Sequence, residues 1–219
     1  FDLFKRGLIK PEGLRVFVLD EADEMLSSGF SEQIYGIFQY LHNDVQVGLF
    51  SATLPDSLED ITSKFMRNPA KILVKADKLS LDGIAQYYVK LENDETKHET
   101  LKDLFGIFTL SQTIIYCNSV PRVKDLYDSM LQDGFPVCCI HSDMEKEKRA
   151  DSFKEFVSGK YRVMISSNVT ARGIDVQQVS TVVNFDLPED QHTYLHRIGR
   201  SGRWGRKGMG VNFITKRDY

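Results

Sequence analysis

The sequence predicts an α/β protein of two parallel-sheet units, the first of them incomplete. Three observations carry that prediction. Short apolar runs alternate with stretches of helical period, as in strand–helix–strand units whose sheet is covered on both faces. A polar, turn-like stretch at 77–84 interrupts the alternation and divides the chain into 1–76 and 85–219. Ahead of that break the pattern gives too few strands and helices to cover both faces of an open sheet.

Taken in order, residues 15–20 read as a strand because Val16-Phe17-Val18-Leu19 is a continuous apolar run. Residues 30–41 read as a helix, with Phe30, Ile34, Ile37, Phe38 and Leu41 sharing one side. A second strand spans 45–50. Pro55 and Asp56 open a helix that runs to about Met66. Lys71-Ile-Leu-Val-Lys75 reads as a third strand. Beyond the break, strands are expected at 85–91, 113–117, 136–140, 162–166, 180–185 and 209–214. Helices are expected at 96–108, 120–133, 145–158 and 190–198.

The composition is that of a globular protein, 42% hydrophobic and 27% charged over 219 residues. No apolar run approaches the length of a membrane span, and the first residues lack the layout of a secretory signal. The cysteines, Cys117, Cys138 and Cys139, are too few and too badly spaced for a disulfide framework or a zinc site. They indicate a reducing compartment, cytoplasmic or nuclear. A net charge of -3 excludes nucleic-acid binding by bulk charge, so phosphate recognition has to come from local patches. Glycines at 199, 202, 205 and 208 repeat every third residue, over far too short a stretch for a collagen-like helix.

Two clusters carry chemistry. Asp20-Glu21-Ala22-Asp23 ends the first apolar run, and a buried strand with carboxylates at its C-terminal tip can hold a metal and a water beside a phosphate. An acidic helix N-terminus would look the same. Late in the chain, His196-Arg197-Ile198-Gly199-Arg200-Ser201-Gly202-Arg203 concentrates cations between glycines. Carboxylates early and arginines late suggest a nucleotide held by two lobes. No G-x-x-x-x-G-K-[ST] phosphate loop occurs in the sequence.

The ordered set of Val18-Leu-Asp-Glu-Ala-Asp-Glu-Met-Leu26, Ser51-Ala-Thr53, Ala171-Arg-Gly-Ile-Asp175 and His196 through Arg203 resembles the DEAD-box RNA helicases. Glu32-Gln-Ile-Tyr35, Asp175-Val-Gln-Gln-Val-Ser180 and Trp204-Gly-Arg-Lys-Gly208 are similar to the four-A subgroup of eukaryotic translation initiation factors and its nuclear relatives. The resemblance covers essentially the whole chain. It implies tandem RecA-like lobes, the back part of the first over 1–76 and the second over 85–219, with the phosphate-loop segment preceding Phe1. It implies ATP and Mg²⁺ as cofactors.

By that resemblance Asp20 holds the magnesium, mostly through water, and Glu21 orients and deprotonates the attacking water. Arg200 and Arg203 approach the γ-phosphate, Arg203 as the finger, while Asp175 and Gly173 contact the ribose side. Asp23, Ser51 and Thr53 couple nucleotide state to RNA release, and His196 and Arg197 tie the lobes together. RNA is contacted through its backbone at the positions matching family contacts, Asn118, Ser119, Arg149, Ser167 and Asn168, and Arg122 joins them by its nearness to the first pair. The implied protein is a monomer without a membrane segment, with a helical-repeat scaffold protein as a further partner. The chain departs from the family at Ser142, where glycine is usual, at Lys146, where glutamine is usual, and at Asn168, where aspartate is usual. A second reading is a non-catalytic RNA-binding or scaffold module, which the missing phosphate loop favours. On either reading the 219 residues alone are expected to turn over no ATP.

Overall fold

A computed structural model describes residues 1–27, 29–51, 56–73, 81, 83–107, 112–170, 176, 178–203 and 205–219. The chain separates into two compact units, Phe1–Leu79 and Ser80–Tyr219.

Unit 1 opens with a short helix, α1 (Asp2–Lys5), and a 3-10 turn at Pro11–Gly13. Strand β1 (Val16–Leu19) follows, then helices α2 (Ala22–Ser27) and α3 (Ser31–Phe38), strand β2 (Gln46–Leu49) and helix α4 (Asp56–Phe65). β1 and β2 pair in parallel, with Leu19 opposite Leu49. Leu19, Ala22, Leu26, Ile34, Phe38, Leu58 and Ile61 form one core, and Phe65 stacks on Phe38 at 4.4 Å between ring centroids. Helix α2 exists because Ala22 and Leu26, four residues apart, both enter that core. Two expectations change here. The Asp20–Asp23 run is the strand tip and the opening turn of α2 at once. The strand expected over 71–75 is not formed in its described part, where 71–73 pair with no strand among the described residues and Ile72 is 92% exposed; residues 74 and 75 lie outside the described residues.

Unit 2 is a six-stranded sheet in which every paired strand is parallel. Its elements are β3 (Ile84–Lys90), α5 (Thr96–Ile107), β4 (Gln112–Tyr116), α6 (Val120–Gln132), β5 (Val137–Ile140), α7 (Lys146–Val157), β6 (Val163–Ser166), β7 (Val179–Asn184), α8 (Gln191–Ile198) and β8 (Gly208–Ile214). The strand order is β3-β8-β7-β4-β6-β5, so β4 is central and wholly buried. Alternation along it fills two cores. Ile115 and Cys117 face Leu101, Val123, Leu126 and Met130 of α5 and α6. Ile114 and Tyr116 face the opposite side, with Phe156 of α7 and Ile198 of α8. The C-terminal ends of β7, β4 and β6 therefore lie side by side, where open parallel sheets bind ligands.

Candidate functional site

In unit 1 the two strand tips are stitched together. Phe50 donates its N–H to the Leu19 carbonyl at 2.9 Å, and Ala22 donates to the Phe50 carbonyl at 3.0 Å. Ser51 Oγ then accepts the Asp23 backbone N–H at 3.1 Å. The Asp23 carboxylate accepts the Glu24 N–H at 3.0 Å, capping the first turn of α2. The chain turns sharply at Glu21, whose φ of 50° is a left-handed conformation costing a non-glycine residue about 1–2 kcal/mol. Asp20 is exposed, and one of its oxygens accepts the Glu21 N–H at 2.9 Å. Its other oxygen meets no donor among the described residues. Mg²⁺ is commonly bound by one or two carboxylates while keeping several waters, so this donor fits it. Thr53 lies outside the described residues.

In unit 2 the centre is Arg197, whose side chain is wholly buried. Its Nε and Nη2 donate to Asn168 Oδ1 at 2.9 and 2.6 Å, and Nη2 also donates to Asn118 Oδ1 at 2.7 Å. Nη1 donates to the Asp186 carbonyl at 2.8 Å and to Asn184 Oδ1 at 3.3 Å. The guanidinium lies over the Tyr116 ring, 5.2 Å from its centroid. All five guanidinium donors are thus engaged, each by a neutral acceptor. Burial lowers the Arg197 pKa, and no carboxylate pairs with it among the described residues. Arg197 spends its donors inside unit 2, so any part it takes in tying lobes together runs through the loops it holds.

Arg200 is buried and Arg203 half-buried. Each Nε donates to a carbonyl four residues back, Arg200 to His196 and Arg203 to Gly199, both at 3.1 Å. These bonds satisfy the open carbonyls at the end of α8 and put positive charge where the helix dipole favours it. Tyr116 is buried beneath Arg197. Burial pushes its pKa up to about 12, against the opposing charges of Arg200, Arg197 and Arg203. Asp175 and Gly173 lie outside the described residues.

The residues expected to touch RNA divide into two sets. Arg122 bridges two carboxylates, donating to Asp94 at 2.6 Å and to Asp186 at 3.0 Å. Lys97, 4% exposed, closes the network on Asp94 at 2.9 Å and on Asp186 at 3.0 Å. Asn118 supports Arg197 and donates to the Leu187 carbonyl at 2.8 Å, Ser119 caps α6, and Asn168 holds Arg197. Asn118, Ser119 and Asn168 are exposed and Arg122 half-buried, so these side chains make internal bonds at the surface of unit 2. The side chain of Arg149, half-buried on α7, makes no hydrogen bond or ion pair among the described residues, and Ser167 is buried just beyond β6. Of the three departures, Ser142 Oγ donates to Asp143 at 3.4 Å, Lys146 opens α7 in an exposed position, and Asn168 is the acceptor already described. The sequence reading overlooked Tyr116, Asn184, Asp186 and Lys97. Asp186 could have been found, since it follows an apolar strand just as Asp20 does.

A family model described as the helicase conserved C-terminal domain matches residues 96–205, and one described as DEAD/DEAH box helicase matches residues 2–61. The chain belongs to the DEAD-box helicase family. It is 48% identical over 217 residues to eukaryotic initiation factor 4A of Caenorhabditis elegans, covering 99% of this chain and 54% of that protein. It is 50% identical over 218 residues to the ATP-dependent RNA helicase eIF4A of Saccharomyces cerevisiae, covering 100% of this chain and 55% of that one. Among solved structures, S. cerevisiae Dbp5 bound to RNA and ADP BeF3 matches with a TM-score of 0.90 at 35% identity, over 99% of this chain and 57% of that chain. The chain thus spans about half the length of the relatives it matches. In this DEAD-box chain the family's carboxylate motif is the β1–α2 corner, and its arginine motif is the end of α8.

Proposed function

We propose that this chain belongs to an ATP-dependent RNA helicase that couples RNA-stimulated ATP hydrolysis to local opening of an RNA duplex, in translation initiation or a related RNA-processing step. Residues 1–76 are the back part of a first RecA-like lobe, 77–84 a linker, and 85–219 the second lobe. One observation carries the reading: at the C-terminal end of β4 the buried Arg197 lies over the Tyr116 ring, 5.2 Å from its centroid, and Arg200 and Arg203 follow it, bonded back onto the end of α8.

Glu21 takes the proton of the attacking water. A positioned general base contributes roughly 10²–10⁴ in rate. Arg200 and Arg203 stabilise the charge that spreads over the γ-phosphate oxygens, Arg203 as the finger, an effect of roughly 10³–10⁵. Asp20 holds Mg²⁺ through water; the ion neutralises phosphate charge when bound. Asp175 and Gly173 receive the ribose. Asp23 and Ser51, with Thr53, transmit nucleotide state, as do His196 and Arg197. Asn118, Ser119, Arg122, Arg149, Ser167 and Asn168 contact RNA phosphates and sugars. The relatives named as RNA helicases and the RNA-bound Dbp5 support this reading. Dbp5 is also seen bound to Gle1, which supports a protein partner here.

The test is Glu21→Ala in the full-length gene product. RNA-stimulated ATP turnover should fall at least 100-fold with RNA affinity retained. Unchanged turnover overturns the assignment.

A further inference from the structure

Helix α8 carries Arg197 and leads into Arg200 and Arg203, so its seat on the sheet decides where those guanidiniums point. That seat is keyed residue by residue to β8. Alternation turns Gly208, Gly210 and Asn212 to the face that α8 covers. Ser201 lies against Gly208, where an added Cβ would come 2.6 Å from Ser201 Oγ and 2.7 Å from the Gly202 nitrogen. Ile198 lies against Gly210, where a Cβ would come 3.1 Å from Ile198 Cγ2. Tyr194 lies against Asn212, whose Nδ2 donates to the Tyr194 hydroxyl at 3.3 Å. Residues 194, 198 and 201 are spaced as one helical face, and they run opposite in direction to 212, 210 and 208.

A hydrogen-bond relay of fixed polarity locks the same seat. Arg197, which can only donate, gives Nη1–H to Asn184 Oδ1. Asn184 Nδ2 must then donate outward, and it reaches Asn212 Oδ1 at 2.8 Å. Asn212 Nδ2 donates on to the Tyr87 carbonyl at 3.0 Å and to Tyr194, whose hydroxyl donates to Gln86 Oε1 at 2.6 Å. One cation thereby fixes the amide orientations across β7, β8 and β3.

We propose that Gly210, Asn212 and Asn184 are positioning residues that set the register of α8, and through it the aim of Arg200 and Arg203. The claim rests on those arginines serving ATP hydrolysis. Reacting groups displaced by about 1 Å can lose about 100-fold in rate, and a methyl at Gly210 pushes on Ile198 by a few tenths of an ångström.

The experiment uses two variants, Gly210→Ala and Asn184→Asp. Asn184→Asp keeps the acceptor facing Arg197 and removes the donor facing Asn212. Arginine Nε–Hε resonances are recorded on the 219-residue chain, and steady-state ATP turnover with RNA on the full-length gene product. Gly210→Ala should move the resonances of Arg197, Arg200 and Arg203 and lower kcat about 10-fold, with KM for RNA within twofold of wild type. Asn184→Asp should lower kcat about threefold and move the same resonances. If either folded variant moves the resonances and keeps wild-type kcat, the positioning claim is overturned and the helicase reading stands. If wild type itself has no RNA-stimulated turnover, the helicase reading falls and takes the claim with it. If Gly210→Ala fails to fold, Asn184→Asp decides alone.

Discussion

Asp186→Asn is the most discriminating perturbation of unit 2. The Asp186 carboxylate accepts Lys97 Nζ and Arg122 Nη2, each at 3.0 Å, and the Asn118 N–H at 3.2 Å, while its side chain is 13% exposed. Burial is the largest influence on it and raises its pKa, but Arg122 and Lys97 together outweigh burial and leave it below the ordinary value. At 3 Å and an effective dielectric of 20, each contact is worth about 5 kcal/mol before desolvation. Asparagine keeps one acceptor and removes the charge. Lys97, at 4% exposure, is left with Asp94 as its one anionic partner among the described residues. Breaking a buried pair by neutralising one partner costs about 3–5 kcal/mol, and the retained acceptor and half-exposed Asp94 place this case at about 3. Urea unfolding read by hydrogen exchange in peptides from β4 and β7 isolates unit 2. The pH dependence has a definite sign. A carboxylate whose pKa is depressed on folding contributes its stability fully above the unfolded pKa of about 4 and loses it as pH falls through the folded value. Wild type and variant should therefore differ by about 3 kcal/mol at pH 7 and converge in acid. A difference below about 1 kcal/mol at pH 7, or one that persists unchanged in acid, would refute the reasoning.

Three other outcomes are expected. Asn168→Asp gives Arg197 the carboxylate it lacks, within an environment already desolvated. Stability should rise by about 1–2 kcal/mol, seen as a higher Tm; a fall would mean that the neutral cradle is the better partner. Cys138 and Cys139 are half to wholly buried, and burial pushes their thiols up to about 12 and about 11, while Cys117 is raised further. At pH 8 a thiol-disulfide reagent should label the native chain about 100-fold more slowly than the denatured chain, and rapid labelling of the native chain would contradict this burial. The 219-residue chain, which contains no G-x-x-x-x-G-K-[ST], should turn over no ATP above background in a phosphate-release assay.

The inner strands of unit 2 were legible because β4, β6 and β7 are buried runs bounded by polar turns, and a fully buried parallel strand such as β4 needs nothing subtler. The strand expected at 71–75 shows the limit of that signal. Ile72 and Leu73 are apolar enough for a strand, yet local composition cannot say whether a pairing partner is at hand. Helix α2 was missed because six residues hold too little periodicity to register. The carboxylate and arginine motifs were legible as chemistry, but the partners of their neighbours were not. Arg122 reads as an RNA contact beside Asn118 and Ser119, whereas the carboxylates that occupy it lie 28 and 64 positions away in sequence. The glycines near the C-terminus invite a three-residue reading, while Gly208 and Gly210 answer to the two-residue period of β8.

Arg197 and Asp186 solve neighbouring problems in opposite ways, and the contrast bears on function. The Asp94, Lys97, Arg122 and Asp186 network pairs two anions with two cations, so it braces the ends of β4 and β7 while adding no net charge. The Arg197 cradle satisfies every donor with amide or carbonyl oxygens and leaves the positive charge uncancelled locally. A buried cation held this way is costly, as its lowered pKa records. On the proposed function that cost has a use, because a buried charge such as Arg197, with no carboxylate pairing it among the described residues, attracts a polyphosphate more strongly in a partly desolvated site than it would in water. On this argument Asn168 trades stability for field, so Asn168→Asp should strengthen the fold and weaken nucleotide binding together.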